Sequence, residues 1–168
     1  MFGAVAVLAS TPLLRRRRLT VEVAGDSMLP ALEAGDWLLV ARRPPPLDAS
    51  AFGRVVVTRD RTGRLLVKRV VGLPGEVVQI EDGRVRIDGR PLDEPYVRGE
   101  TEAAPYRALT LLDSDSYYLL GDHRPASTDS RDLGGVRRDA IEGTVVARYW
   151  PRGRVSRLRP PARRFLEA

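Results

Sequence analysis

Short runs of β-branched and aromatic residues alternate with Gly, Pro and Asp clusters from residue 19 to residue 150. This pattern is typical of strands joined by turns, and no long stretch has helical periodicity. Hairpin turns are predicted at Asp82-Gly83 and Asp88-Gly89, and loops at 44–46 and 98–107. We therefore expect a mainly β fold: a coiled antiparallel sheet or partial barrel with few short helices. The runs on which this expectation rests are VEVAGDSM, DWLLVAR, RVVVTRD, RLLVKRVVG, EVVQIEDGRVRIDGRPL, SYYLLGD and GTVVARYW.

The two ends of the chain differ from this β body in composition. Residues 1–14 are mostly apolar and Arg15–Arg18 follow, so 1–18 is a candidate membrane anchor, although a spanning helix needs about 20 apolar residues. Residues 151–168 form a basic tail rich in Arg and Pro, which we predict to be poorly ordered. The remaining residues, 19–150, are predicted to form one domain, with a hairpin or cap region at about 77–115.

Charge and composition narrow the chemistry. The net charge of +6 comes from the ends, because residues 19–150 carry 18 basic and 21 acidic side chains. Such ends suit anionic lipid headgroups or another polyanion, or act only as solvated tails. The 168-residue chain has no cysteine and a single histidine, His123, too few ligands for a typical zinc site. We therefore expect no metal and no cofactor.

The only lysine of the chain stands out among its basic residues. Lys68 is one of 28 basic side chains, and the other 27 are arginines. It lies in the apolar run LLVKRVV, where alternation puts Leu66, Lys68 and Val70 on one face of a strand. Burial lowers the pKa of a lysine, and a neutral amine can act as a general base. The alternative is a lysine whose head group reaches the solvent.

A nucleophile candidate lies in the segment GDSMLP. Ser27 follows a short strand at a Gly-Asp turn, where Gly25 allows a substrate backbone to approach closely. A serine hydroxyl needs a base to become a good nucleophile. The alternative is that Ser27 only caps the turn around residues 28–33. A Ser-His-Asp triad with Asp122 and His123 is disfavoured because these two residues are adjacent.

A third polar segment, GDHRPASTDSRDLGGV, follows the apolar run YYLL. On an extended segment Asp129 and Arg131 would share a face and could pair, and Ser127 would lie on the same face. A hydroxyl there could help to position a buried lysine. An ordinary charged loop is the alternative.

Together, GDSMLP, KRVVGLPGE and GDHRPASTDSRDLGGV resemble, in this order, three sequence boxes of the type I signal peptidases. The segment VVQIEDGRVRIDGRPLDEPYV between the last two is also similar to that family. The resemblance covers residues 19–150. It implies a mostly β catalytic fold shared with self-cleaving repressors, and a Ser/Lys dyad that cleaves signal peptides after small residues in an Ala-x-Ala pattern.

The resemblance also implies roles for individual residues. Ser27 matches the nucleophile, and Lys68 matches the general base. Three further residues match supporting positions: Ser127 the serine that hydrogen-bonds the lysine, and Asp129 and Arg131 the pair that braces the site. Three more match positions that line the pocket for the residue before the cut: Met28, Leu32 and Val67.

Three positions depart from the common pattern of the family. Gly25 stands where some relatives have a serine that helps to hold the oxyanion, so the oxyanion would rest mainly on backbone N–H groups. Ala31 stands where threonine is common, and His123 where asparagine is common. We expect His123 to loosen the last turn of its segment.

The resulting hypothesis is a signal peptidase at the cell membrane, with signal peptides as substrates, an extracytoplasmic catalytic domain and contact with lipid. The positive-inside rule conflicts with this topology, because it would place Arg15–Arg18 in the cytoplasm. One alternative is a soluble processing protease of the same family with a dedicated precursor. Another is a basic β-module without enzymatic activity, binding lipid or nucleic acid. Nucleic acid is disfavoured because the body is acidic and only ten aromatic residues are present.

Overall fold

A computed structural model of the chain describes residues 18–81, 83–97 and 109–167. One short helix, α1 (Ser130–Leu133), and four single 3-10 turns accompany the strands in these ranges. The strands are β1 (Arg18–Glu22), β2 (Trp37–Ala41), β3 (Val55–Arg59), β4 (Leu65–Gly72), β5 (Val77–Glu81), β6 (Arg84–Ile87), β7 (Arg90–Pro91), β8 (Thr110–Leu111), β9 (Ser116–Leu120), β10 (Val136–Arg137), β11 (Ile141–Trp150) and β12 (Ser156–Arg157).

The strands form two antiparallel sheets. The larger sheet has the order β1-β2-β11-β3-β4-β9-β10, and β12 is added to β11. The smaller sheet has the order β7-β6-β5-β8. The expectation of a mainly β, antiparallel fold with few short helices is confirmed. Within the described ranges the larger sheet stays open, because its two end strands, β1 and β10, do not pair with each other.

Strand β4 occupies the middle of the larger sheet, between β3 and β9. All eight of its residues are buried, which explains the apolar run in its sequence. Val67 packs into one core cluster with Val55 and Val57, whereas Val70 and Val71 pack into the other. A register shift between Val70 and Gly72 interrupts the alternation and turns both valines into the same cluster.

The smaller sheet is the predicted hairpin region. Strands β5 and β6 pair from Val78 with Ile87 to Glu81 with Arg84, so they form the expected antiparallel hairpin. Asp88 and Gly89 both have positive φ, as a tight two-residue hairpin requires. The smaller sheet contributes buried side chains to the same core as β9, so it is packed on the larger sheet. The predicted loop at 98–107 lies outside the described residues.

The C-terminal tail is packed along the body, so the prediction of a poorly ordered tail is wrong. After β12 pairs with β11, Phe165 bridges to Leu92 beside the smaller sheet. Arg163 donates two hydrogen bonds to Glu76, at 2.6 and 2.7 Å. Composition suggested disorder, but the strand pairing, the β-bridge and the ion pair hold the segment, which we call the strap (151–167), against both sheets.

The candidate anchor, 1–18, lies outside the described residues except for Arg18, which begins β1. None of the helices in the described ranges is long and apolar enough to cross a membrane.

The strap makes a testable contact at Gly53. A Cβ built on Gly53 would lie 2.5 Å from Cδ of Pro161, whereas one built on Gly63 has open space around it. Both glycines have positive φ, so alanine is strained at both. We expect Gly53→Ala to lower the free energy of unfolding by about 1–3 kcal/mol more than Gly63→Ala, measured by urea denaturation. Equal losses would contradict the seating of the strap on Gly53.

Candidate active site

The central strand β4 presents two cations to opposite sides. Lys68 is 4% exposed and lines a cleft together with Leu66, as the alternation of the sequence predicts. Arg69 is 6% exposed and faces the other way. Its guanidinium donates to both carboxylate oxygens of Asp122, at 2.7 and 2.5 Å. Arg69 is therefore neutralised by an ion pair, whereas the amine of Lys68 is directed into the cleft.

The turn after β1 brings Ser27 to this amine. Val23 and Asp36 are joined by a backbone hydrogen bond of 2.9 Å, which closes the segment between them into a compact loop. Inside it, the N–H of Leu32 donates to the carbonyl of Met28. The side chain of Ser27 makes no cap to this turn. Its Oγ lies 2.8 Å from Nζ of Lys68, although 41 positions separate the two residues in sequence.

Burial changes the acidity of the amine. The pKa of Lys68 is lowered from 10.5 to about 8, chiefly because burial removes water from the charged form. The carboxylate of Asp129 acts in the opposite direction and raises this pKa. Weaker contributions come from Arg64 and Arg131, which lower the pKa, and from Asp122, which raises it. The carbonyl of Val67 accepts a further hydrogen bond from Nζ at 3.0 Å. About one tenth of the amine is therefore neutral at pH 7, and about half at pH 8.

The dyad lies in an open cleft of about 680 Å³. Many of the side chains on the walls beside the serine are small, and the charged groups on the walls are Asp26, Arg64 and Lys68. The lining residues are Ala24, Gly25, Asp26, Ser27, Ala34, Arg64, Leu66, Lys68, Pro125, Ala126, Ser127 and Thr128. An extended peptide with small side chains fits such a cleft.

The third polar segment packs on the dyad as a capped turn. Asp129 pairs with Arg131 at 2.9 Å, as predicted. The segment is not extended there, however: Asp129 is the N-cap of α1 and accepts from the backbone N–H of Arg131. The other carboxylate oxygen of Asp129 accepts from the N–H of Gly121. This buried carboxylate thus fixes the loop and also faces the lysine.

Ser127 lines the cleft but does not make the predicted hydrogen bond to Lys68. Its Oγ is buried and has no hydrogen-bond partner among the described residues. Lys68 instead bonds to Ser27 and to the carbonyl of Val67. The sequence placed Ser127 correctly in the site, but hydroxyl rotation and loop position decide its partner.

The three residues predicted to line the substrate pocket are buried in the core. Met28, Leu32 and Val67 are 1%, 0% and 5% exposed and belong to one hydrophobic cluster. They are absent from the lining of this cleft, and their role in the pocket for the residue before the cut stays a prediction. Their packing sets the position of the serine turn against β4, and smaller residues such as Ala24 and Ala34 form the surface.

All three departures from the family pattern can be placed in the structure. Gly25 lies on the wall beside the serine. His123 does not loosen its segment: its backbone N–H donates to the carbonyl of Ser27 at 3.0 Å, and its Nδ1 lies 3.3 Å from the carbonyl of Asp26. The expectation for His123 was therefore wrong, and this residue ties the last loop to the serine turn. At Ala31, the carbonyl accepts from Arg148.

Sequence reasoning missed a buried network behind the dyad. Arg124, only 2% exposed, pairs with Glu94 and donates to the carbonyl of Gly121. Tyr96 donates to Glu94 and its ring lies 4.4 Å from the guanidinium carbon of Arg69. The network joins the end of the smaller sheet to the loop that carries Ser127. The sequence did contain one sign of such a network. Lys68 and Arg69 are adjacent in a buried strand, so Arg69 also needed an acidic partner.

No group of three His, Cys, Asp or Glu side chains in the described ranges is arranged to hold a metal ion.

The sequence of the chain is similar to those of known signal peptidases. A family model described as signal peptidase, peptidase S26, matches residues 2–150. Signal peptidase I of Leptolyngbya laminosa is 35% identical over 150 residues, 83% of this chain and 72% of that protein. Signal peptidase I of Bacillus caldolyticus is 32% identical over 162 residues, 89% of this chain and 88% of that protein.

A solved structure, a signal peptidase I from Enterococcus faecalis V583, is 27% identical with a TM-score of 0.46, and the match covers 59% of this chain and 98% of that one. On the family match and the two relatives, the chain belongs to the type I signal peptidase family of peptidases.

Gly121 offers a test of the contact between the loops. A Cβ on Gly121 would lie 2.5 Å from the carbonyl oxygen of Ser27 and 2.3 Å from Oγ of Ser127. We expect Gly121→Ala to displace the serine turn and to lower kcat at least about tenfold, since small misplacement of a reacting group is costly. Gly153→Ala, where a Cβ meets nothing within 4 Å, is the matched control and should keep full activity. Equal activity of the two variants would show that the loops tolerate separation.

Proposed function

We propose that the chain removes N-terminal signal peptides from exported proteins by a Ser27/Lys68 dyad. The neutral amine of Lys68 takes the proton of Ser27 as Oγ attacks the scissile carbonyl carbon. The protonated amine then gives its proton to the leaving amino group, and the C–N bond breaks. Water attacks the resulting ester, again with Lys68 as base, and releases the signal peptide and the free serine.

One observation carries this proposal: the 2.8 Å distance between Nζ of a buried lysine and the serine Oγ, in an open cleft. A lysine with an ordinary pKa would be protonated near pH 7 and could not accept a proton. Burial lowers the pKa of Lys68 to about 8, so part of the amine is neutral near pH 7 and can accept a proton. The membership of the chain in a family of signal peptidases supports the same assignment.

The remaining roles follow from positions around the dyad. The backbone N–H of Ser27 donates no hydrogen bond within the described residues, so it is available to hold the oxyanion beside Gly25. Asp129 and Arg131 brace the loop, and Ser127, whose buried Oγ has no hydrogen-bond partner among the described residues, is the candidate to position the lysine during turnover. The small side chains of Ala24 and Ala34 leave room for the Ala-x-Ala residues before the cut.

We also propose contact between the catalytic domain and the membrane, with the domain on the extracytoplasmic side. Tyr149 and Trp150 are 42% and 47% exposed at the end of β11. Trp150 pairs with Trp37 of β2, and Trp37 pairs with Glu22 at the end of β1. Tyr149 and Trp150 therefore lie at the edge from which the serine turn emerges. Aromatic side chains favour the membrane interface, and Arg152 beside them suits anionic lipid.

The dyad predicts the pH dependence of cleavage. For a model pre-protein with an Ala-x-Ala site, kcat/KM should rise about tenfold per pH unit below an apparent pKa of about 8 and level off above it, because only the neutral amine accepts the proton. Lys68→Arg keeps the charge but has no usable neutral form, and should lose at least about a hundredfold. Ser27→Ala should be inactive.

If Lys68→Arg cuts with the wild-type pH profile, Lys68 is a structural cation and the dyad is wrong. If wild type leaves the model pre-protein intact but processes one precursor of its own, the dedicated processing protease is the better assignment. Salt-dependent binding to DNA or lipid with no peptidase activity at all would favour the binding module.

The lipid contact predicts a difference between two exposed apolar residues. Trp150→Ala should weaken co-sedimentation with phosphatidylglycerol vesicles at least about threefold, since it removes an interfacial aromatic side chain. Leu111→Ala is the matched control, because Leu111 is 71% exposed but belongs to the smaller sheet. An equal effect of both substitutions, or none, would rule out this edge as the lipid-facing surface.

A further inference from the structure

Three alternate residues of the β4 segment form one wall of the cleft. Arg64, directly before β4, and Leu66 and Lys68 within it all line the same cleft. A strand rises about 3.3 Å per residue, so Arg64 is about 13 Å along the wall from Lys68. A substrate held in extended form beside this wall advances at the same rate. Its residue about four positions from the scissile bond therefore reaches Arg64.

The guanidinium of Arg64 is held in place. Its Nε and one terminal nitrogen lie 3.0 and 2.9 Å from one carboxylate oxygen of Asp60. The other oxygen of Asp60 accepts from the hydroxyl of Thr62 and from the backbone N–H groups of Thr62 and Arg64. The Thr62 hydroxyl bond, the largest cause, lowers the pKa of Asp60, so this carboxylate stays ionised. Arg64 thus keeps a fixed orientation in the wall rather than sweeping through solvent.

The walls indicate which side of the substrate runs past Arg64. Leu66 lies between the lysine and Arg64, and Ala24 and Ala34 line the same cleft. This apolar and small-residue surface suits the Ala-x-Ala residues, which precede the cut. The acyl side of the substrate therefore passes Leu66 first and meets Arg64 beyond the Ala-x-Ala segment.

We propose that Arg64 is a specificity-determining residue that favours an acidic side chain about four or five residues before the scissile bond and disfavours a basic one. The inference rests on the proposed function and extends it to a substrate position beyond Ala-x-Ala. Asp60 offsets part of the charge of Arg64, and Asp26 lies elsewhere on the cleft lining. A partly offset, solvent-accessible cation gives a graded preference rather than an absolute one.

The test compares three peptides that share an Ala-x-Ala site and carry Glu, Gln or Lys at the fourth and fifth positions before the cut. Wild type should cleave the Glu peptide with a kcat/KM about three- to fivefold above that of the Lys peptide, as expected for an exposed ion pair. Arg64→Gln should remove the difference, and Arg64→Glu should invert it. Arg64→Lys should retain the preference because it retains the charge.

Arg61→Gln is the matched control, since this exposed arginine lies three positions earlier, outside the cleft lining, and should leave the ratio unchanged. The neutral Gln peptide separates the two hypotheses. If wild type cleaves it and Ser27→Ala does not, the proposed function stands; an unchanged Glu-to-Lys ratio in Arg64→Gln then overturns the role of Arg64 alone. If wild type cleaves none of the peptides, the proposed function fails and the inference falls with it.

Discussion

The burial of a single amine is the constraint on which the rest of the structure depends. An ammonium ion without close counter-charge is costly to bury, and the cost falls when the group gives up its proton. The fold places Lys68 in the middle of a strand whose residues are all buried, and no carboxylate forms an ion pair with its Nζ among the described residues. The adjacent Arg69 receives such a carboxylate from Asp122. The same strand therefore carries a neutralised cation on one face and a reactive amine on the other.

The surrounding elements hold this arrangement against the tendency of a lysine to reach water. The serine turn closes one side, and His123 ties that turn to the loop after β9 through the carbonyl of Ser27. Gly121 permits the close approach of the two segments, because any side chain there would overlap the same carbonyl oxygen. Behind the loop, the ion pair of Arg124 with Glu94 connects it to the smaller sheet. The hairpin region thus supports the site, although none of its described residues belongs to the cleft wall.

Much of the fold could be predicted because its signals are local. Alternation and turn residues indicated the strands and both hairpin turns, and the isolated lysine in an apolar run indicated the buried amine. The resemblance then paired Lys68 with Ser27, which no local pattern could have done across 41 positions. Long-range packing accounts for the errors. Burial is also set by long-range packing: Met28 and Leu32 are apolar residues next to a nucleophile, and their sequence does not show how deeply they lie. The prediction of a poorly ordered strap was wrong because its composition suggests disorder. The strap is held by an ion pair with Glu76, a residue far from it in sequence.

The charges around the dyad oppose one another in their effect on the pKa of Lys68, and a strong ion pair to its amine would end this opposition. Asp129 raises the pKa of Lys68, while Arg64 and Arg131 lower it, so the neighbouring charges oppose one another and burial decides the outcome. Asp129 is itself occupied by Arg131 and by the backbone of Gly121, which limits its pull on the amine. If that carboxylate were free to contact the amine, it would favour the ammonium form and the base would be lost. The capped turn around Asp129 therefore shapes the loop and also keeps the carboxylate from contacting the amine. The role of Lys68 as a base depends on this second effect.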